Sequence, residues 1–191
     1  MNNTYYLMRH GLSEANIEGL IISDPEVGTK KYGLTPQGRG VVRQALSSRE
    51  LDSQTIIYSS DFLRTQETAW EASRLLESNA PILTEALRER FFGDFDGGPD
   101  THYAEIWEKD ESLHNDNTWK NVESPQSVRQ RTEALIHQLE KDYQGEKILL
   151  ISHGDALQIL QTFFEDVEPW THRSLDHLHT GEIRKMTKKG E

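Results

Sequence analysis

The chain has 191 residues, of which 35% are hydrophobic and 28% charged, and a net charge of −11 with neutral histidines. That length suits one compact domain or at most two small ones. No apolar run approaches the roughly 20 residues of a membrane span, and so acidic a surface repels nucleic-acid phosphates. The absence of cysteine excludes disulfides and thiolate metal sites.

The N-terminus, Met1-Asn2-Asn3-Thr4, has no basic segment leading into a long apolar one. A cytoplasmic protein is expected, with a small molecule as its partner and neither membrane nor nucleic acid. Tyr5–Met8 reads as a buried strand that stops at Arg9-His10-Gly11. Ser13 to Gly33 has poor periodicity and breakers at Asp24-Pro25 and Gly28, so a surface loop is expected. Thr35-Pro36 signals a helix start, with Thr35 as N-cap and Val41, Val42, Ala45 and Leu46 on one face.

Thr55–Tyr58 reads as a second strand ending in Ser59-Ser60, and Asp61 as the cap of a helix running to about Glu77. Pro81–Leu83 is a short third strand. Leu87 to Gly98 is an irregular, carboxylate-rich loop, Thr101 to Lys109 a short helix, and Glu111 to Asn121 a polar covering segment. Ser124-Pro125 opens a long helix with Val128, Leu135, Ile136 and Leu139 on one face. Lys147–Ile151, the most apolar strand, belongs at the sheet centre and leads to Ser152-His153-Gly154. Asp155 or a neighbour caps the next helix. The end of the chain reads as edge structure with a turn at Thr180-Gly181. Strands alternating with helices imply a mostly parallel α/β sheet covered on both faces.

Two strands that each end in His-Gly place His10 and His153 where open α/β sheets bind ligands, beyond the carboxyl ends of the strands. A neutral imidazole is a competent nucleophile. Arg9 beside it, and Arg64 at the start of a helix that follows a strand, complete a cationic cup suited to a phosphoryl group. A dihistidine metal site is the competing reading, and arginines at the same edge repel a divalent cation. The acid for the leaving oxygen should come from Glu89, Asp94 or Asp96. Glu89, near strand 81–83 and flanked by Arg88 and Arg90, is preferred, although composition does not separate the three. His102, His114, His137, His172, His177 and His179 read as surface or packing residues, and Trp70, Trp107, Trp119 and Trp170 as packing or cap contacts rather than a binding stripe.

Arg9-His10-Gly11 with Glu14 and Asn16, Gly33–Gly38, Tyr58–Ala69 around Arg64, Leu87–Gly97 around Glu89, and Ser152-His153-Gly154 resemble, in order, the signatures of the histidine phosphatase superfamily, the phosphoglycerate mutase-like group. The resemblance implies a three-layer α/β/α sandwich formed by residues 1–191, with a small cap at about 94–123. It implies that His10 is the phosphorylated nucleophile, that Arg9, Arg64, His153 and Asn16 contact the phosphoryl group, and that Glu89 is the proton donor. It implies neither metal nor organic cofactor.

The glycolytic mutases of this group carry a longer, basic insertion between the positions of Glu89 and His153. Here that interval has Asp100, Glu105, Glu108, Asp110, Glu111 and Asp116 against Lys109 and Lys120. An acidic cover does not retain a bisphosphate intermediate. The expected activity is therefore hydrolysis of a small phosphomonoester through a phosphohistidine. Mutase-type transfer and a non-catalytic phosphate-binding protein are the alternatives.

Overall fold

The computed structural model describes residues 1–47, 50–113 and 119–190. His114 and Asp116 lie outside the described residues. Five strands form one sheet: β1 (Thr4–Arg9), β2 (Ile56–Ser59), β3 (Ile82–Leu83), β4 (Lys147–Ser152) and β5 (Ile183–Met186), in the order β3-β2-β4-β1-β5. β4 is central, as its composition predicts. All pairs are parallel except β1 with β5, which is antiparallel.

Alternation along the strands divides the core in two. Tyr5, Leu7, Ile148 and Leu150 face one side, packing with Ile136 and Leu139 of α6 (Pro125–Asp142) and Leu157, Leu160 and Phe164 of α7 (Gly154–Glu165). Tyr6, Met8, Leu149 and Ile151 face the other, packing with Val42 and Leu46 of α3 (Pro36–Leu46) and Ala69 and Ala72 of α4 (Leu63–Leu76). Helices on both sheet faces give the expected three-layer sandwich. Thr35 and Ser124 cap α3 and α6 through their side chains, and each is followed by proline in the first turn.

A third apolar cluster lies away from the sheet. Ile21, Phe92, Phe95, Ile106 and Val122 pack together with Tyr103 and Trp119, joining α5 (Tyr103–Leu113) to the neighbouring loops. Among the described residues no helix is long and apolar enough to cross a membrane.

Several local expectations are corrected. The segment 13–33 is not all loop: it holds α1 (Glu14–Glu18), opened by a Ser13–Asn16 capping box, and α2 (Pro25–Gly28), capped by Asp24. Asp61 does not cap α4, whose N-cap Phe62 makes no side-chain bond. Its carboxylate is instead held by Arg88, through Nε at 2.9 Å and Nη2 at 2.6 Å. Asp155 does not cap α7 either; His153 occupies that position, and Asp155 is drawn into a buried ion cluster. α5 runs on to Leu113, past the expected end at Lys109. Asp110 is not part of an exposed acidic cover: it is 5% exposed and paired with Arg90.

Candidate active site

The two His-Gly ends lie side by side because β1 and β4 are paired in register, Arg9 opposite Ser152. The chain then leaves β1 for α3 on one face and β4 for α7 on the other. Such a switch point leaves a crevice beyond the strand ends. Three backbone bonds fix the floor: His10 N–H donates to Ser152 O at 3.0 Å, and Gly181 N–H is shared between Arg9 O and His10 O. Gly154 lets the Arg9 guanidinium lie close against the backbone. A Cβ there would lie 3.1 to 3.3 Å from the Arg9 guanidinium.

His10 is buried, and its Nδ1 lies 2.7 Å from Gly11 O. A carbonyl only accepts, so Nδ1 carries the proton and Nε2 keeps its lone pair. Arg64 Nε–H is 3.2 Å from His10 Nε2 and 3.2 Å from His153 Nδ1. The same reasoning puts the proton of His153 on Nε2, 2.9 Å from Ser60 Oγ. The imidazole centroids are 5.4 Å apart, with the Arg64 side chain bonded to both. Burial, reinforced by Arg64, lowers both histidines well below their ordinary 6.5. Both are therefore neutral at physiological pH. Burial also lowers Arg64 to about 10, which leaves it a cation.

Two arginine donors are left over. Arg64 Nη2 donates to Ile22 O at 2.9 Å and Arg9 Nη1 to Leu178 O at 3.1 Å. Arg64 Nη1 and Arg9 Nε are buried without a hydrogen-bond partner among the described residues. A buried, unsatisfied N–H costs about 1–3 kcal/mol, more when charged. A pair of them beside two neutral imidazoles is what an arriving oxyanion would satisfy.

Of the three candidate carboxylates, Glu89 has the environment that differs. It is 9% exposed, and its Oε1 accepts Arg90 N–H at 2.9 Å and Ala156 N–H at 3.2 Å. Burial, then the Asp155 carboxylate, push it up to about 6 against the pull of Arg64. Asp96 is engaged by Ser23 N, Ser23 Oγ and Asp24 N at 2.5, 2.7 and 2.9 Å. Asp94 accepts from Asn121 Nδ2 at 2.8 Å. Both pin loops.

A cavity of about 340 Å³ opens above this floor. Its walls include Arg9, Asn16, Glu89, Tyr103, Trp107, Arg173 and His177. Asn16 is exposed, and its Oδ1 accepts Ser13 N–H and Oγ–H at 3.1 and 2.9 Å. The structure thus gathers Arg9, His10, Arg64, Glu89 and His153 and places Asn16 at the rim. A larger cavity, about 750 Å³, also borders Glu89. It does not reach Arg9 or Gly154, which adjoin the two histidines, and its arginines, Arg88 and Arg131, are paired with Asp61 and Glu123. The smaller one is the relevant space. Among the described residues no group of three or more histidine or acidic side chains could hold a metal ion.

Sequence reasoning missed a buried ionic cluster beneath Glu89. Arg90 pairs with Asp110 at 2.5 Å and with Asp155 at 3.1 Å. Asp155 Oδ1 accepts Trp107 Nε1–H at 3.0 Å and lies 3.4 Å from His172 Nε2. Burial alone would raise Asp155; His172 and Arg90 outweigh it and hold the group well below the usual carboxylate range. His172 is a core member of this cluster, and Arg173 a cavity wall. Both stand in an irregular stretch whose pattern carries no signal.

Residues 5–191 match the model of the histidine phosphatase superfamily (branch 1). The chain belongs to this superfamily. Its members are enzymes, phosphatases and mutases. This superfamily member is 27% identical over 176 residues to a 2,3-bisphosphoglycerate-dependent phosphoglycerate mutase of Parvibaculum lavamentivorans, covering 84% of this chain and 79% of that one. It is 29% identical over 168 residues to the adenosylcobalamin/alpha-ribazole phosphatase of Escherichia coli, covering 81% and 75%. Its fold matches the native mycobacterial glucosyl-3-phosphoglycerate phosphatase with a TM-score of 0.75 at 20% identity, over 95% of this chain and 88% of that one. It matches a phosphoserine phosphatase mutant of Entamoeba histolytica, in complex with phosphoserine, with a TM-score of 0.75 at 22% identity, over 96% and 89%.

Proposed function

We propose that this protein hydrolyses small phosphomonoesters through a phosphohistidine on His10. The observation that carries the reading is the pair of unpartnered, buried N–H groups on Arg9 and Arg64 beside a neutral His10 whose Nε2 lone pair is free of its own proton. A phosphoryl oxygen arriving between them takes the Arg64 Nε–H that now lies against both imidazoles. That releases Nε2 for in-line attack on phosphorus. The P–O bond to the leaving group breaks, and the Glu89 proton passes to the departing oxygen. Arg9, Arg64 and His153 hold the oxygens on which charge develops, with Asn16 at the rim. Glu89, now a carboxylate, takes a proton from water; the water oxygen attacks phosphorus, the P–N bond breaks, and phosphate leaves. The two arginines supply the positive charge this chemistry needs, so no metal is assigned a role. α5 serves as a cap through Tyr103 and Trp107, which wall the cavity.

The test is acid-quench trapping with p-nitrophenyl phosphate and a panel of sugar, nucleotide and glycerate phosphates. Acid-labile phosphate should appear on the wild-type protein and vanish in His10→Ala. Interconversion of phosphoglycerates without net phosphate release would establish the mutase instead. Bound phosphate with no trapped intermediate would establish a binding protein.

A further inference from the structure

Among the described arginines, only Arg9, Arg64 and Arg173 have no carboxylate within 4.0 Å. In a chain of net charge −11, partners are plentiful, and every other described arginine has one. Two of the three share one cavity, and the third lies at the floor of the site. Arg64 bonds both imidazoles at the floor, and Arg9 and Arg173 border the same cavity.

Arg173 sits on the short 3-10 segment Pro169–Ser174, and its guanidinium is held in place. Its central carbon lies 3.6 Å from the centroid of the Trp107 ring. Trp107 stacks on Tyr103 at 5.3 Å with 7° between the planes, and its Nε1–H is fixed by Asp155. Arg173 Nη1 donates to Gln158 Oε1. One face and one nitrogen are thereby engaged. The Nε and Nη2 donors, which form the other edge of the fork, have no hydrogen-bond partner among the described residues. Arg88 shows what that edge binds within this same chain: its Nε and Nη2 grip the two oxygens of Asp61. Such parallel N–H···O bonds fit a planar carboxylate.

We infer that Arg173 anchors a carboxylate of the substrate. The ester consumed is then a small phosphorylated carboxylic acid, its phosphoryl group on the Arg9–Arg64 floor and its carboxylate on the Nε/Nη2 edge of Arg173. This rests on the hydrolase reading above and deepens it. A cavity of about 340 Å³ suits a molecule of that size. A second phosphoryl group is the less suitable occupant, because a single side-on edge satisfies two oxygens of a dianion and leaves the third bare.

The test compares kcat/KM for phosphoglycolate and 3-phosphoglycerate with that for glycerol 3-phosphate, in wild type, Arg173→Gln and Arg173→Lys. A charge-assisted bidentate pair predicts a wild-type preference for the acids of about 30-fold. Arg173→Gln should abolish that preference, and Arg173→Lys should keep part of it. Equal losses on acid and neutral ester would show a packing role and overturn the inference. So would a preference that survives the substitution, or a larger Arg173-dependent preference for propanediol bisphosphate. Calorimetric binding of phosphoglycolate to His10→Ala gives a reading without turnover. Adding Arg173→Gln should weaken it by a similar factor, so failure of hydrolysis and failure of this assignment are separable.

Discussion

Glu89→Gln separates proton donation from structural support. The carbonyl oxygen of glutamine can accept the Arg90 and Ala156 N–H bonds that Glu89 Oε1 now accepts, so the loop keeps its geometry. What is lost is the proton. With Glu89 at about 6, the wild-type acid is about half protonated at pH 6 and roughly one-tenth protonated at pH 7. For an alkyl phosphate, kcat/KM should fall about tenfold per pH unit above 6. The variant should be flat there and about 10³-fold slower at pH 6, the middle of the range for general acid catalysis. Nitrophenolate leaves without help, so p-nitrophenyl phosphate should lose less than about tenfold. Stability gives a second reading. The folded pKa lies above its ordinary 4.5, so the folded state holds the proton more tightly than the unfolded one. That stabilisation is complete below about 4.5 and is lost as pH rises through about 6. Above pH 6 the variant should exceed wild type by about 2 kcal/mol in urea unfolding, and at pH 4 by nothing. Equal losses on both substrates, or an alkaline limb that persists in Glu89→Gln, would refute the assignment and move the acid elsewhere.

Arg64→Ala removes two donors from the phosphoryl site and the clamp on both imidazoles. It should cost about 3 kcal/mol of transition-state stabilisation, about 10²-fold in kcat/KM, in steady-state assays. Arg90→Met strips Asp110 and Asp155 of their cation and should destabilise the fold by about 3–5 kcal/mol in chemical denaturation.

What was legible in the sequence was what depends on local pattern. The apolar runs Tyr5–Met8 and Lys147–Ile151 announce buried parallel strands, and Thr35-Pro36 and Ser124-Pro125 announce helix starts that the structure places at those residues. The strand-terminal position of His10 and His153 followed from the same runs. The caps of α4 and α7 were misread because Asp61 and Asp155 have stronger partners from distant segments, Arg88 and Arg90, than a helix end offers. A charge-assisted bond to a guanidinium outweighs one neutral N–H. The Arg90–Asp110–Asp155–His172 cluster joins residues far apart in the chain, and no local rule predicts such pairings. Arg173 was invisible for the same reason: its meaning lies in the stack on Trp107 and in having no carboxylate within 4.0 Å among the described residues.

Arg64 and Arg90 make the division between support and reactivity explicit. Both are nearly fully buried, 4% and 1% exposed. Arg90 is surrounded by two aspartates and a backbone carbonyl, Glu123 O, so its charge is neutralised and it cements α5 to the start of α7. Arg64 has only neutral acceptors, two imidazoles and Ile22 O. An uncompensated buried cation costs several kcal/mol, which the fold accepts at this one position. That cost is offset when a dianion arrives, because the charge is then paired in a medium of low dielectric, where attraction is strongest. The nearest alternative counter-ion is Glu89, and its elevation to about 6 leaves it partly neutral as pH approaches that value. Were Glu89 fully ionised, it would compensate Arg64 in the resting protein and weaken the hold on phosphate. On the proposed reading, the Asp155 carboxylate that raises Glu89 would serve both halves of the site at about pH 6 and below, preserving a proton for the leaving group and a less quenched cation for the phosphoryl oxygens.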